Sequence, residues 1–155
     1  MSRPVGGIRR VTLALAVDIP VPGLIDLPPF DRTLWNDAEP GLRTGVLPPG
    51  VDEPDLLGAM VETVREALCA GGGPLVLALH EGLASLVDGQ FRGPGLETVR
   101  DLGRARFASP CSVVISGRLF EDLRALERPV LPVQRFRPVT VGGVAAMRAH
   151  PLDWP

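Results

Sequence analysis

The sequence predicts a three-layer α/β domain, a mostly parallel sheet of four to five strands with helices on both faces. Three observations predict it. Short apolar runs at 8–19 (IRRVTLALAVDI), 74–79 (PLVLAL) and 112–116 (SVVIS) read as strands buried on both sides. Segments with helical spacing alternate with these runs, the order that builds βαβ units. The third run passes through Gly117 directly into a helical pattern. The expected organisation is Rossmann-like, and 155 residues suffice for one domain, 1–155, with its own core.

The elements follow in order. The first run ends at an acid, Asp18, and reads as a buried strand. Residues 20–54 then carry eight prolines, which remove backbone donors and fix φ, so neither a central strand nor a continuous helix is expected there. The stretch also holds Phe30 and Trp35, too apolar for a solvated linker. It reads as a long irregular excursion lying against the body or against a partner, an unusual length for a loop without function. A helix follows. Asp52 suits its N-cap and Pro54 its first turn, Leu57, Met60, Val61, Val64 and Leu68 recur on one face, and Gly71 to Gly73 end it. After PLVLAL, the segment HEGLASLVDG at 80–89 reads as a turn into a short helix. Residues 96–106 form a second clear helical stretch, with Leu96, Val99 and Leu102 on one side. The helix RLFEDLRALE at 118–127 stops before Pro129. PVLPV at 129–133 reads as a fourth strand at an edge, and VTVGGVAAM at 139–147 as a fifth.

Composition excludes much chemistry. All sixteen basic residues are arginine, and lysine and tyrosine are absent. This fits the codon usage of a GC-rich, bacterial genome. Whatever its cause, it removes Schiff-base lysines, pyridoxal-phosphate anchors, a Walker A motif and phenol acid/base catalysis. Net charge is −2, giving no global attraction to nucleic acid or anionic membrane. The charge is uneven: residues 1–62 hold nine acids against five arginines, and residues 91–137 nine arginines against five acids. The second block is a solvated basic face or the footprint of an anionic partner. Arg3, Arg9 and Arg10 precede an apolar run too short for a signal peptide, and no run is long enough to span a membrane. A cytoplasmic location is expected.

Candidate sites follow from the rule that open parallel sheets bind ligands beyond the carboxyl ends of their strands. Two turns are expected there. His80 and Glu81, with Ser85 and Asp88 after them, offer a general base and an orienting carboxylate, or merely a histidine capping its own turn. Ser116, Gly117 and Arg118 open a helix with a small residue, a close-approach glycine and a guanidinium, suited to phosphate or carboxylate; the same residues also suit any tight strand-to-helix turn. If their strands are neighbours, the two turns could face one ligand. No G-x-G-x-x-G or G-x-S-x-G motif is present. Cys69 reads as a small buried hydrophobe and Cys111 as a structural thiol, and no two of Cys69, His80, Cys111 and His150 have metal-ligand spacing. No metal or cofactor is expected.

The leading expectation is an accessory or interaction domain of a bacterial multi-component system. It would work through protein–protein contacts without catalysis, with a protein partner or a second copy docking on Phe30, Trp35 and Trp154. The alternative is a small-molecule enzyme or binding module for a phosphate- or carboxylate-bearing ligand, using His80, Glu81, Ser116, Gly117 and Arg118. Nucleic-acid binding ranks last, because aromatic content is only 5%.

Overall fold

The computed structural model describes residues 7–17, 23–67, 74–107 and 111–151. Its elements are β1 (Ile8–Val17), β2 (Leu34–Trp35), β3 (Leu42–Val46), α1 (Glu53–Ala67), β4 (Leu75–Val87), β5 (Gln90–Arg92), α2 (Pro94–Gly103), β6 (Cys111–Ser116), α3 (Gly117–Arg124), β7 (Arg137–Val141) and β8 (Val144–Ala149). They form one eight-stranded sheet in the order β2-β3-β1-β4-β6-β8-β7, with β5 paired to β4. Among the described strands β4 and β6 are the one parallel pair; the other pairings are antiparallel. The mostly parallel, Rossmann-like sheet expected from the sequence is therefore wrong.

Two hairpins and one short strand account for the difference. The segment 80–89 is no helix: β4 continues through it, then turns at Asp88 and Gly89, both at positive φ, into β5. Asp-Gly between strands is the signature of a tight hairpin. Gly142 and Gly143, also at positive φ, turn β7 back into β8, so VTVGGVAAM is two strands and not one. PVLPV is not a strand; a single 3-10 turn, Val133–Arg135, begins at its last residue. Within the proline-rich excursion, residues 42–46 are free of proline and form β3, which pairs antiparallel with β1 on one side and β2 on the other. Gly45 makes this possible, because a Cβ there would sit 2.7 Å from the Leu34 carbonyl oxygen.

Alternation along β1 divides the core in two. Val11, Leu13 and Leu15 join Leu77, Leu79, Val113 and Ile115 under α1 and α3. Ala14 and Ala78 face the other way, against Leu96, Val99 and Leu102 of α2. Small residues let α2 sit close: Cβ atoms added at Gly95 and Gly82 would each fall within 2.9 Å of the other's backbone. α1 starts as its sequence suggests, with the Asp55 amide donating to Asp52 Oδ1 at 3.2 Å. Cys111 is disulfide-bonded and not a free thiol. Cys69, the only other cysteine in the chain, lies outside the described residues.

Candidate functional site

A polar groove lies along α2, where three separate elements meet. The first is the turn between β2 and β3. Asn36 in this turn accepts the Phe91 amide proton on Oδ1 at 2.6 Å, and its Nδ2 donates to the Phe91 carbonyl at 2.9 Å and to Thr44 Oγ1 at 3.3 Å. Its side chain thus imitates a strand and ties β5 to β3. The neighbouring Asp37 amide donates to Gln90 Oε1 at 2.8 Å. With the turn so fixed, Glu39 reaches across to α2.

α2 supplies the cations. Gly93, at φ 122°, bends the chain into the helix, Pro94 takes its first turn, and the Leu96 and Glu97 amides donate to the Gly93 carbonyl. Arg100 and Arg104, one helical turn apart, then lie on a common face. Glu39 forms an ion pair with each: Oε2 is 3.2 Å from Arg100 Nη2 and Oε1 is 3.8 Å from Arg104 Nη2. The pairing is loose, and the Arg100 Nε is buried without a hydrogen-bond partner. Two cavities flank this ion triad. One of about 380 Å³ is lined by Asn36, Asp37, Gln90, Arg92 and Glu97 as well as Glu39 and Arg100. The other, of about 440 Å³, lies between the ends of β1 and β3 and the segment carrying Arg104, Arg106 and Phe107. Both fall in the size range of small-molecule sites. The arrangement can hold an anion between guanidiniums, with Glu39 occupying the position until one arrives.

The structure brings some of the sequence candidates together and separates others. His80 and Glu81 lie inside β4 and not at its tip, and alternation sends them to opposite faces. Glu81 accepts from Arg9 Nε at 2.7 Å. His80 lies on the α2 side against Gly82, its Nδ1 buried and without a partner. Burial pushes its pKa down, the Arg9 charge adds to this, and Glu81 opposes it. Ser116 occupies the next register position beyond the Leu79–Ile115 pair, on the strand beside His80, and its Oγ is likewise buried and unpartnered. It stands at the N-cap of α3 without a side-chain capping bond. Gly117 follows, and Arg118 is exposed on α3. His80, Ser116, Gly117 and Arg118 line none of the cavities described here. Phe30, expected as a docking residue, is fully buried, and Trp35 packs on it with Nε1 donating to the Phe30 carbonyl at 3.1 Å. Trp154 lies outside the described residues. No described helix is long and apolar enough to cross a membrane.

Sequence reasoning missed Asn36, Glu39, Arg100 and Arg104 as a site. One signal for part of it was present: the acid excess of residues 1–62 and the arginine excess of 91–137 meet at this point.

No family model matches the chain, and no curated protein matches its sequence. Solved structures do. The adenylate/guanylate cyclase/hydrolase from Silicibacter pomeroyi is 11% identical with a TM-score of 0.56, over 93% of this chain and 98% of that one. The catalytic core of a rhodopsin-guanylyl cyclase with converted specificity, in complex with ATPαS, is 11% identical with a TM-score of 0.55, over 94% and 97%. A dimeric form of the guanylyl cyclase domain of the RhoGC fusion protein from the aquatic fungus Blastocladiella emersonii is 11% identical with a TM-score of 0.53, over 96% and 97%. At these identities the likeness is one of fold. These neighbours are cyclases, one of them a catalytic core, which overturns the expectation of a non-catalytic accessory domain and favours the alternative, a small-molecule enzyme or binding module for a phosphate- or carboxylate-bearing ligand.

Proposed function

We propose that this chain binds a purine nucleoside triphosphate in the groove along α2, as a domain of the nucleotidyl cyclase type. The observation that supports it is a fold shared over more than nine-tenths of each chain with adenylyl and guanylyl cyclase domains. The arginines supply the matching chemistry. A triphosphate replaces Glu39 as the partner of Arg100 and Arg104, whose guanidiniums suit phosphate oxygens. Gln90 and Asn36 line the adjoining cavity and fix its shape through their hydrogen bonds to the Asp37 and Phe91 backbone.

A nucleotidyl cyclase closes a ring. The 3′-oxygen attacks the α-phosphorus, the bond to the bridging oxygen of the β-phosphate breaks, pyrophosphate leaves, and the hydroxyl proton passes to a base. Catalysis of such a step consists of positioning and charge stabilisation. In this chain Arg100 and Arg104 would hold the triphosphate and take up charge developing on the leaving pyrophosphate. Phosphoryl transfer of this kind ordinarily also draws on a divalent cation. Asp37, Glu39 and Glu97 line the groove, but Glu39 is already held by two guanidiniums. No three His, Cys, Asp or Glu among the described residues group as a metal site. The described residues therefore do not fit a cation by themselves, and no step here runs through one.

Affinity measurements on two variants test the reading. Arg104→Gln, at an exposed position, should weaken ATP or GTP binding about tenfold. Glu39→Gln frees both guanidiniums and should tighten it severalfold. Equal affinity in all three proteins would overturn the proposed groove.

A further inference from the structure

A third cavity, on the opposite side of the sheet from α2, has a different character. It measures about 480 Å³ and lies between β1, β3 and the 3-10 turn Leu24–Asp26. Its walls are mainly aliphatic: Leu15, Val17, Leu24 and Ile25. One cation enters it. Arg43 stands on β3 opposite Leu15 and so points to the same face. Its guanidinium carbon lies 5.7 Å from the centroid of the Trp35 ring, and its Nε is buried without a hydrogen-bond partner. No ion pair among the described residues involves Arg43, although two carboxylates share the cavity. Glu39 is committed to Arg100 and Arg104, and Asp26 is exposed to solvent. A guanidinium at the mouth of an apolar cavity, with donors left over, asks for an acceptor attached to an apolar body.

We propose that this cavity binds a small amphipathic organic anion, a carboxylate whose apolar part lies on Leu15, Val17 and Leu24 and whose head meets Arg43. Trp35 holds the guanidinium from behind through its ring face, and Phe30 holds Trp35, with ring centroids 6.4 Å apart. Phe30 and Trp35 thus serve the ligand by positioning Arg43. The site stands independently of the nucleotide reading, although the turn at 36–41 walls both.

Decanoate and decan-1-ol, equal in length and different in charge, separate the head-group contact from the apolar one. In the full chain carrying Trp154→Phe, Trp35 is the only tryptophan and its fluorescence reports binding. Decanoate should bind saturably and at least tenfold more tightly than decanol. Arg43→Gln should bring decanoate down to the decanol level, Arg43→Lys should retain most of the affinity, and Asp26→Asn should tighten decanoate severalfold while leaving decanol unchanged. Equal binding of the two probes overturns the proposal. So does decanoate affinity that Arg43→Gln leaves intact in a folded protein, or displacement of decanoate by ATP, which would make the cavity part of the nucleotide groove.

Discussion

Asn36 is the one asparagine of the chain, and its amide spans two strands by hydrogen bonds to both polar groups of the Phe91 backbone. Nothing local in the sequence marks it, since those partners lie 55 positions away. Asn36→Ala leaves partly buried backbone groups unpaired and should cost about 1–3 kcal/mol, read from urea unfolding. His80 was legible as a residue of interest, but its role follows from burial. Its folded pKa lies below the ordinary value near 6.5. As pH falls below about 6.5 the unfolded chain takes up a proton that the folded chain resists. Stability is therefore lost from that point down to the folded pKa. His80→Gln removes this titration, so its melting temperature should fall less than that of the wild type between pH 7 and pH 5. An identical fall in the two proteins would show that His80 is not coupled to folding.

Among the elements, β1, α1, α2, β6 and α3 were legible because each rests on local periodicity and on nearby caps. The long β4 was not. Its second half, Glu81 to Val87, mixes exposed leucines with Gly82 and Ser85, so neither face is uniformly apolar and a helix looked as reasonable. The Asp88-Gly89 pair was the better signal, since two adjacent positive φ angles are what a two-residue hairpin demands. The docking of α2 on this strand depends on close backbone approach. Gly95→Ala would place a methyl group 2.9 Å from the Gly82 carbonyl carbon and the Leu83 carbonyl oxygen. Neither is a flexible side chain that can yield, so the helix must lift. A loss of about 1–3 kcal/mol is expected in chemical denaturation, with nucleotide affinity reduced because Arg100 and Arg104 move with the helix.

Across the whole molecule, strand order was the hidden quantity. Apolar runs alternating with helices suit either a parallel sheet with crossovers or this antiparallel arrangement; the hairpins decide between them, and one hides in 80–89, which reads as a turn into a short helix, the other in VTVGGVAAM, which reads as one strand. The charge asymmetry was visible, but its meaning was not. Glu39 from the acidic segment 1–62 and Arg100 and Arg104 from the basic block are brought together by tertiary structure alone, at the edge of a groove on a fold shared with nucleotide cyclase domains. Whether a nucleotide goes there is tested most directly by titrating ATP, and separately GTP, into isotopically labelled protein and following backbone amide shifts. The account predicts saturable shifts concentrated in residues 37–41 and 95–107. Shifts centred instead on 80–81 and 116–118, or none at millimolar nucleotide, would contradict it.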